Sequence, residues 1–185
     1  ESQSAREGWA HHGMAVTSRR HIVGFHPGDP TVLIFDEDGE IVNSWHAPVR
    51  EAHQFVLEGD GKDEFLWIAD PGRKSMKANG GYDPVEGERG GQVVKMTLDG
   101  ELLVQITQPD HEAYRNGTFA PTSMAVLDSG DVWVSDGYGG SYIHRHSASG
   151  EYLGSISGEE GQAGAFNCPH GVWIDRRKPE PELYI

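Results

Sequence analysis

Short runs of strand-forming residues alternate with turn signals along the whole chain. The clearest part is residues 121–175, where the runs contain Val, Ile, Trp, Tyr and Met, and the breaks between them contain Gly, Asp and Ser. The runs lie at residues 124–127, 132–136, 142–146 and 152–156. Such runs, joined by turns of this composition, predict an antiparallel meander of four strands.

The same order of runs and turns recurs along the chain. The turn before the last run of each unit reads Asp-Gly-Glu from Asp38 and from Asp99, and Ser-Gly-Glu from Ser149. A four-stranded unit that recurs at about 40 to 60 residues is one blade of a β-propeller. We therefore predict an all-β fold, a β-propeller of four-stranded antiparallel blades. The blades are expected at residues 11–46, 52–106, 121–157 and 169–185.

These blades form one predicted domain, residues 1–185, of about three and a half blades. Closed propellers contain about 4 to 8 blades. We therefore expect an incomplete ring, which either further blades after Ile185 or self-association of copies would close. Two insertions, residues 71–91 and 107–119, interrupt the repeat. Long loops on a rigid β scaffold either carry function or decorate the surface, and both alternatives stay open here.

Charge and composition narrow the classes of partner. The formal net charge of -14 argues against nucleic acid and anionic membranes, which both require a basic face. No apolar stretch approaches the roughly 18 residues of a membrane helix, so no membrane insertion is expected. The single cysteine, Cys168, excludes an internal disulfide. The chain starts at Glu1 without methionine, which is consistent with a removed leader and favours a secreted or extracytoplasmic location.

Candidate chemistry lies where the innermost strands begin, because these strands line the central channel of a propeller. The equivalent positions hold His12, His53, Thr122 and His170. Histidines from separate blades can form an open tetrahedral zinc site. The alternative is that each one packs at the channel mouth as a hydrogen-bonded side chain. The remaining histidines are expected to be solvated, including His111, His144 and His146.

Tyr138 follows a predicted strand end and lies between Gly137 and Gly139. A tyrosine beside a dication can ionise below its reference pKa of about 10 and act as a base. The alternative is a packed loop aromatic. The five tryptophans fall mostly on strand positions and are expected in the core.

Residues 132–138 (VWVSDGY) and 166–172 (FNCPHGV) resemble NHL-repeat propellers, most closely the peptidyl-α-hydroxyglycine α-amidating lyases. The resemblance extends from about Gly13 to Ile185. It implies a six-bladed ring in which three channel histidines bind a catalytic zinc and a calcium lies deeper on the axis. The residues that it implies are His53 and His170 as zinc ligands, Tyr138 as the base, and the backbone carbonyls of Met14 and Phe55 as calcium ligands. The third histidine would follow residue 185.

The reaction implied by the resemblance cleaves a hydroxylated C-terminal glycine at its carbinolamine carbon, giving a peptide amide and glyoxylate. One position departs from the family. An arginine follows the Phe-His pair of the first blade in the family, whereas Pro27 follows Phe25 and His26 here. We therefore expect a zinc-dependent carbon–nitrogen lyase with a different small-molecule or peptide substrate.

Two other classes of function remain as alternatives. One is a non-enzymatic NHL propeller that binds peptide or protein partners. The other is a calcium-dependent lactonase or esterase, which ranks last because its axis would carry Asp, Asn and Glu instead of histidine.

Overall fold

The computed structural model describes residues 8–9, 12–26, 31–84, 90–162 and 164–185. The strands are, in chain order, β1 (Gly8–Trp9), β2 (Ala15–Val16), β3 (Ile22–His26), β4 (Thr31–Phe35), β5 (Ile41–His46), β6 (Gln54–Glu58), β7 (Phe65–Asp70), β8 (Ser75–Ala78), β9 (Gly81–Pro84), β10 (Gln92–Thr97), β11 (Leu102–Ile106), β12 (Ser123–Val126), β13 (Val132–Ser135), β14 (Ile143–His146), β15 (Tyr152–Ile156), β16 (Trp173–Asp175) and β17 (Glu182–Tyr184).

The strands form consecutive four-stranded antiparallel sheets. Their orders are β2-β3-β4-β5, β6-β7-β10-β11 and β12-β13-β14-β15, and β16 pairs with β17 as a two-stranded sheet. We call these sheets blades 1 to 4. The predicted fold class, an all-β chain of antiparallel four-stranded blades, is confirmed.

Neighbouring blades pack face to face, and this packing explains the composition of the inner strands. In β7, Leu66 and Ile68 pack against blade 1, whereas Trp67 and Ala69 pack against blade 3. A strand that buries both faces needs apolar residues at odd and even positions, which accounts for the continuous run in β7. The expectation of buried tryptophans holds for Trp67, which is inaccessible to solvent, and is wrong for Trp173, which is 56% exposed.

Both insertions contain regular structure that the sequence did not predict. Residues 71–91 include the β8–β9 hairpin, and β1 pairs with β8 as a third strand. Residues 107–119 include a short 3-10 helix, Glu112–Tyr114. The described part of the chain contains no helix that is long and apolar enough to cross a membrane.

Candidate functional site

The starts of the inner strands contact one another in blade order. The Gly13 N–H donates to Ala52 O at 2.6 Å, which joins blade 1 to blade 2. His53 Nδ1 lies 2.6 Å from Thr122 O in blade 3, and Thr122 Oγ1 donates to Pro169 O at 2.8 Å in blade 4. The starts of the inner strands, which the repeat predicts at the channel, therefore lie together at one end of the packed blades.

Three of the predicted site residues form one aromatic cluster. The ring centroids of His53 and His170 are 5.6 Å apart. Tyr138 contacts both, with centroid distances of 5.3 Å to His53 and 4.6 Å to His170. We call these three side chains the His53–Tyr138–His170 cluster.

Hydrogen bonds to backbone carbonyls set the tautomers of both histidines. A carbonyl oxygen only accepts, so His53 Nδ1 must carry the proton that it donates to Thr122 O. His170 Nδ1 likewise donates to Cys168 O at 2.8 Å. In the neutral imidazoles, Nε2 of each ring then holds a lone pair. At His53 this lone pair accepts from the Tyr138 hydroxyl, at 3.3 Å. Histidines that bind metals are oriented by such Nδ1–H bonds.

The other predicted ligands are placed differently. The side chains of His12 and Met14 are exposed, and that of Phe55 is buried. A Cβ at Gly13 would lie 2.4 Å from Phe55 N, so the inner strands of blades 1 and 2 touch beside Met14 and Phe55. The proposed carbonyl ligation of calcium stays a prediction. Pro27 lies outside the described residues. In the described ranges, no three His, Cys, Asp or Glu side chains form a group that could hold a metal.

Charged groups surround Tyr138. Burial raises the pKa of its phenol, the charges of Glu51 and Cys168 raise it further, and the guanidinium of Arg73 opposes them. Arg73 Nη2 donates to the Tyr138 carbonyl at 3.4 Å. Sequence reasoning missed Glu51 and Arg73; the only signal for Arg73 was its place in an insertion that could wall a pocket.

Asp136 builds the turn that carries Tyr138. Asp136 Oδ1 accepts from Ala120 N–H at 2.6 Å, and Oδ2 accepts from Gly140 N–H. A Cβ at Gly137 would lie 2.1 Å from Pro169 O, so only glycine allows the turn to approach blade 4 this closely. The position of Tyr138 therefore depends on a buried carboxylate and a glycine.

A chain of short hydrogen bonds crosses blade 3 and ends at Asp136. The Tyr114 hydroxyl donates to Asp136 Oδ2 at 2.6 Å, so its oxygen accepts from His144 Nε2–H at 2.5 Å. His144 Nδ1 then accepts from Ser155 Oγ at 2.7 Å, and Ser155 Oγ accepts from Tyr152 at 2.6 Å. Each donor in this buried chain therefore has an acceptor, and all of the hydrogen bonds run in the same direction, from Tyr152 to Asp136.

The expectation that His144 and His146 are solvated is wrong. Both side chains are almost fully buried, because β14 is covered by Tyr114 and Phe119 from the second insertion and by Tyr152. His111 is half-buried, and its Nδ1 accepts from Ala113 N–H.

Burial of these histidines predicts acid sensitivity. Burial lowers the pKa of His144 to about 3 from 6.5, and it also lowers the pKa of His146. Protonation of His144 favours the unfolded chain, because the pKa of this histidine is higher there. The contribution of neutral His144 to the free energy of unfolding is therefore fully present above about pH 6.5 and is lost as the pH falls towards 3. At pH 5 we expect the free energy of unfolding to fall by about 2 kcal/mol through His144.

Urea unfolding at pH 7.5 and pH 5 measures this loss. His144→Gln removes the titrating group, so the variant is expected to lose less stability between the two pH values than the wild type. An equal loss in the two proteins would show that His144 is not responsible.

The chain is similar in sequence to proteins that are named for NHL repeats and for peptide amidation. No protein-family model matches it. It is 27% identical over 151 residues to mouse NHL repeat-containing protein 3, covering 79% of this chain and 40% of that protein. It is 23% identical over 186 residues to a probable peptidyl-alpha-hydroxyglycine alpha-amidating lyase of Caenorhabditis elegans, covering 86% of this chain and 48% of that protein. The chain therefore spans less than half of either relative.

Among solved structures, it is similar to a catalytically inactive virginiamycin B lyase from Staphylococcus aureus, with a TM-score of 0.45 and 12% identity over 87% of this chain and 59% of that one. The consecutive four-stranded blades and the named relatives confirm that this chain resembles the NHL-repeat β-propellers.

Proposed function

We propose that this chain carries part of a zinc-dependent lyase site that cleaves a carbinolamine-type carbon–nitrogen bond. One observation carries the proposal: both cluster histidines donate Nδ1–H to a backbone carbonyl, which leaves Nε2 of each ring with a lone pair, and both rings contact Tyr138. Two imidazole lone pairs, each oriented by a second hydrogen bond, suit a zinc ion. The similarity to a relative that is named as a probable amidating lyase supports the same class of reaction.

Each residue has a defined role in this proposal. His53 and His170 would hold the zinc, which would supply Lewis acidity to the substrate hydroxyl. Tyr138 would act as a phenolate, because a neighbouring dication lowers the phenol pKa that burial raises. Its oxygen would take the hydroxyl proton as the carbonyl forms and the C–N bond breaks, and would pass this proton to the leaving amide nitrogen. Thr122 O and Cys168 O hold the two imidazoles in the ligating tautomer.

Further ligands complete the proposed metal sites. Catalytic zinc sites use three protein ligands, so we assign the third to a residue outside the described ranges. A structural calcium, bound by the carbonyls of Met14 and Phe55 where blades 1 and 2 touch, is also part of the proposal.

A second candidate is a non-enzymatic propeller that binds peptide or protein partners. The similarity to a protein that is named for its NHL repeats, and not for an activity, favours this candidate.

Carbinolamine cleavage tests the proposal directly. The protein is loaded with zinc and incubated with N-acyl-α-hydroxyglycines of varied acyl group, and glyoxylate release is followed by chromatography. We expect release that a zinc chelator abolishes and that added zinc restores. If a folded, zinc-loaded protein released no glyoxylate above the uncatalysed rate from any of them, the lyase proposal would fail and the binding function would be preferred.

A further inference from the structure

The first insertion brings a cation over the turn that carries Tyr138. After β7, the buried Asp70 accepts from Gly72 N–H at 2.9 Å, and Gly72 has a φ of 75°. The chain therefore turns sharply before Arg73 and enters the β8–β9 hairpin. Arg73 reaches across to blade 3, where its Nη2 lies 3.4 Å from Tyr138 O.

Among the described residues, most N–H donors of the Arg73 guanidinium have no hydrogen-bond acceptor. Arg73 is exposed, and within the described ranges its one hydrogen bond is the long bond to Tyr138 O. A guanidinium carries five N–H donors in a planar fork. The residue whose carbonyl accepts this bond, Tyr138, belongs to the cluster that also contains His53 and His170.

The surroundings favour a singly charged ligand group. The chain has a net charge of -14, and the buried Glu51 lies close enough to Tyr138 to act on its phenol. A dianion such as phosphate would add two negative charges next to Glu51. A carboxylate adds one, and its two oxygens match the guanidinium fork through two parallel hydrogen bonds.

We propose that Arg73 binds the carboxylate of an organic ligand that lies over Tyr138, and that the first insertion supplies this specificity. The inference rests on the proposed function, because it assigns the carboxylate to a ligand of the same site. The residue that determines specificity, Arg73, then belongs to the first insertion and not to a strand of a blade.

A matched pair of small probes tests this inference. N-acetylglycine and N-acetylglycinamide differ only in the carboxylate, and their affinities for the zinc-loaded protein are measured by calorimetric titration. We expect the acid to bind at least about tenfold more tightly than the amide. Arg73→Gln should remove this difference, and Arg73→Lys should restore part of it. Lys77→Gln, the same charge change at an exposed residue of β8, should leave the difference unchanged.

Other outcomes overturn the inference. An acid preference that persists in Arg73→Gln would exclude Arg73 as the carboxylate ligand. Inorganic phosphate that binds as tightly as N-acetylglycine through Arg73 would contradict the assignment to a carboxylate.

Zinc content, measured in every sample, separates this inference from the proposed function. Arg73-dependent acid preference in a protein that takes up no zinc would support the inference and contradict the lyase. Bound zinc without acid preference would contradict the inference alone.

Discussion

Replacing Asp136 by alanine is expected to lower the free energy of unfolding by about 3 kcal/mol or more. The buried carboxylate accepts hydrogen bonds from Ala120 N–H, Gly140 N–H and the Tyr114 hydroxyl. Alanine leaves these donors without their acceptor, and each buried donor that loses its partner costs about 1–3 kcal/mol. Urea unfolding at pH 7.5, followed by tryptophan fluorescence, measures the change.

Asp128 provides the matched control for this substitution. Its side chain is 87% exposed and pairs with Arg176 on the surface, so Asp128→Ala is expected to change stability by less than about 1 kcal/mol. Asp136→Asn keeps the shape and one acceptor oxygen, and its effect should lie between those of the two alanine variants. Equal unfolding midpoints for Asp136→Ala and Asp128→Ala would contradict the assigned role of Asp136.

Asp136 also connects the stability of blade 3 to the geometry of the site. Its carboxylate holds Ala120, and Ala120 O in turn accepts from Tyr138 N–H at 3.2 Å. Loss of the carboxylate is therefore expected to loosen the turn that places Tyr138 between His53 and His170.

The strands and their order could be predicted because local residue patterns specify them. The turns before β5, β11 and β15 each contain a glycine with positive φ: Gly39 at 85°, Gly100 at 91° and Gly150 at 88°. L-residues rarely adopt this conformation, so the Asp-Gly-Glu and Ser-Gly-Glu turns are visible in the sequence. Alternating apolar residues beside such turns fix the hairpins, and the repeat fixes their grouping into blades.

Structure that depends on distant pairing could not be predicted in this way. The β8–β9 hairpin lies in a polar, Gly-rich segment, and it gains a third strand from Gly8 and Trp9, which are far away in sequence. The Ile-His-Arg-His pattern of β14 is equally consistent with solvated histidines. His144 is buried because Tyr114, 30 residues earlier, folds onto it.

The sequence indicated the three residues of the His53–Tyr138–His170 cluster but not the hydrogen bonds that orient them. The start of each repeat identified His53 and His170, and the glycine-flanked position identified Tyr138. The carbonyls of Thr122 and Cys168 set the tautomers of the two histidines. Every residue has a backbone carbonyl, so the sequence does not indicate which ones will accept these hydrogen bonds. Arg73 lies 65 residues before its partner and in an insertion without a counterpart in the other blades.

Loss of zinc on removal of either cluster histidine is the second large effect. His53 and His170 come from different blades, and their rings lie 5.6 Å apart with Tyr138 against both. If they share one zinc, His53→Ala and His170→Ala should each weaken zinc binding by about 100-fold or more, because even residues that only orient a ligand contribute about 10- to 100-fold. His46, which is exposed at the end of the outer strand of blade 1, provides the control substitution.

The most direct test is the zinc content of the purified protein, measured by plasma mass spectrometry after equilibration with zinc and removal of excess metal. The proposal predicts about one zinc per chain in the wild type and in His46→Ala, and almost none in His53→Ala or in His170→Ala. Circular dichroism establishes that each variant is folded. A folded wild type without zinc, or full zinc content in both cluster variants, would contradict a metal site at the His53–Tyr138–His170 cluster.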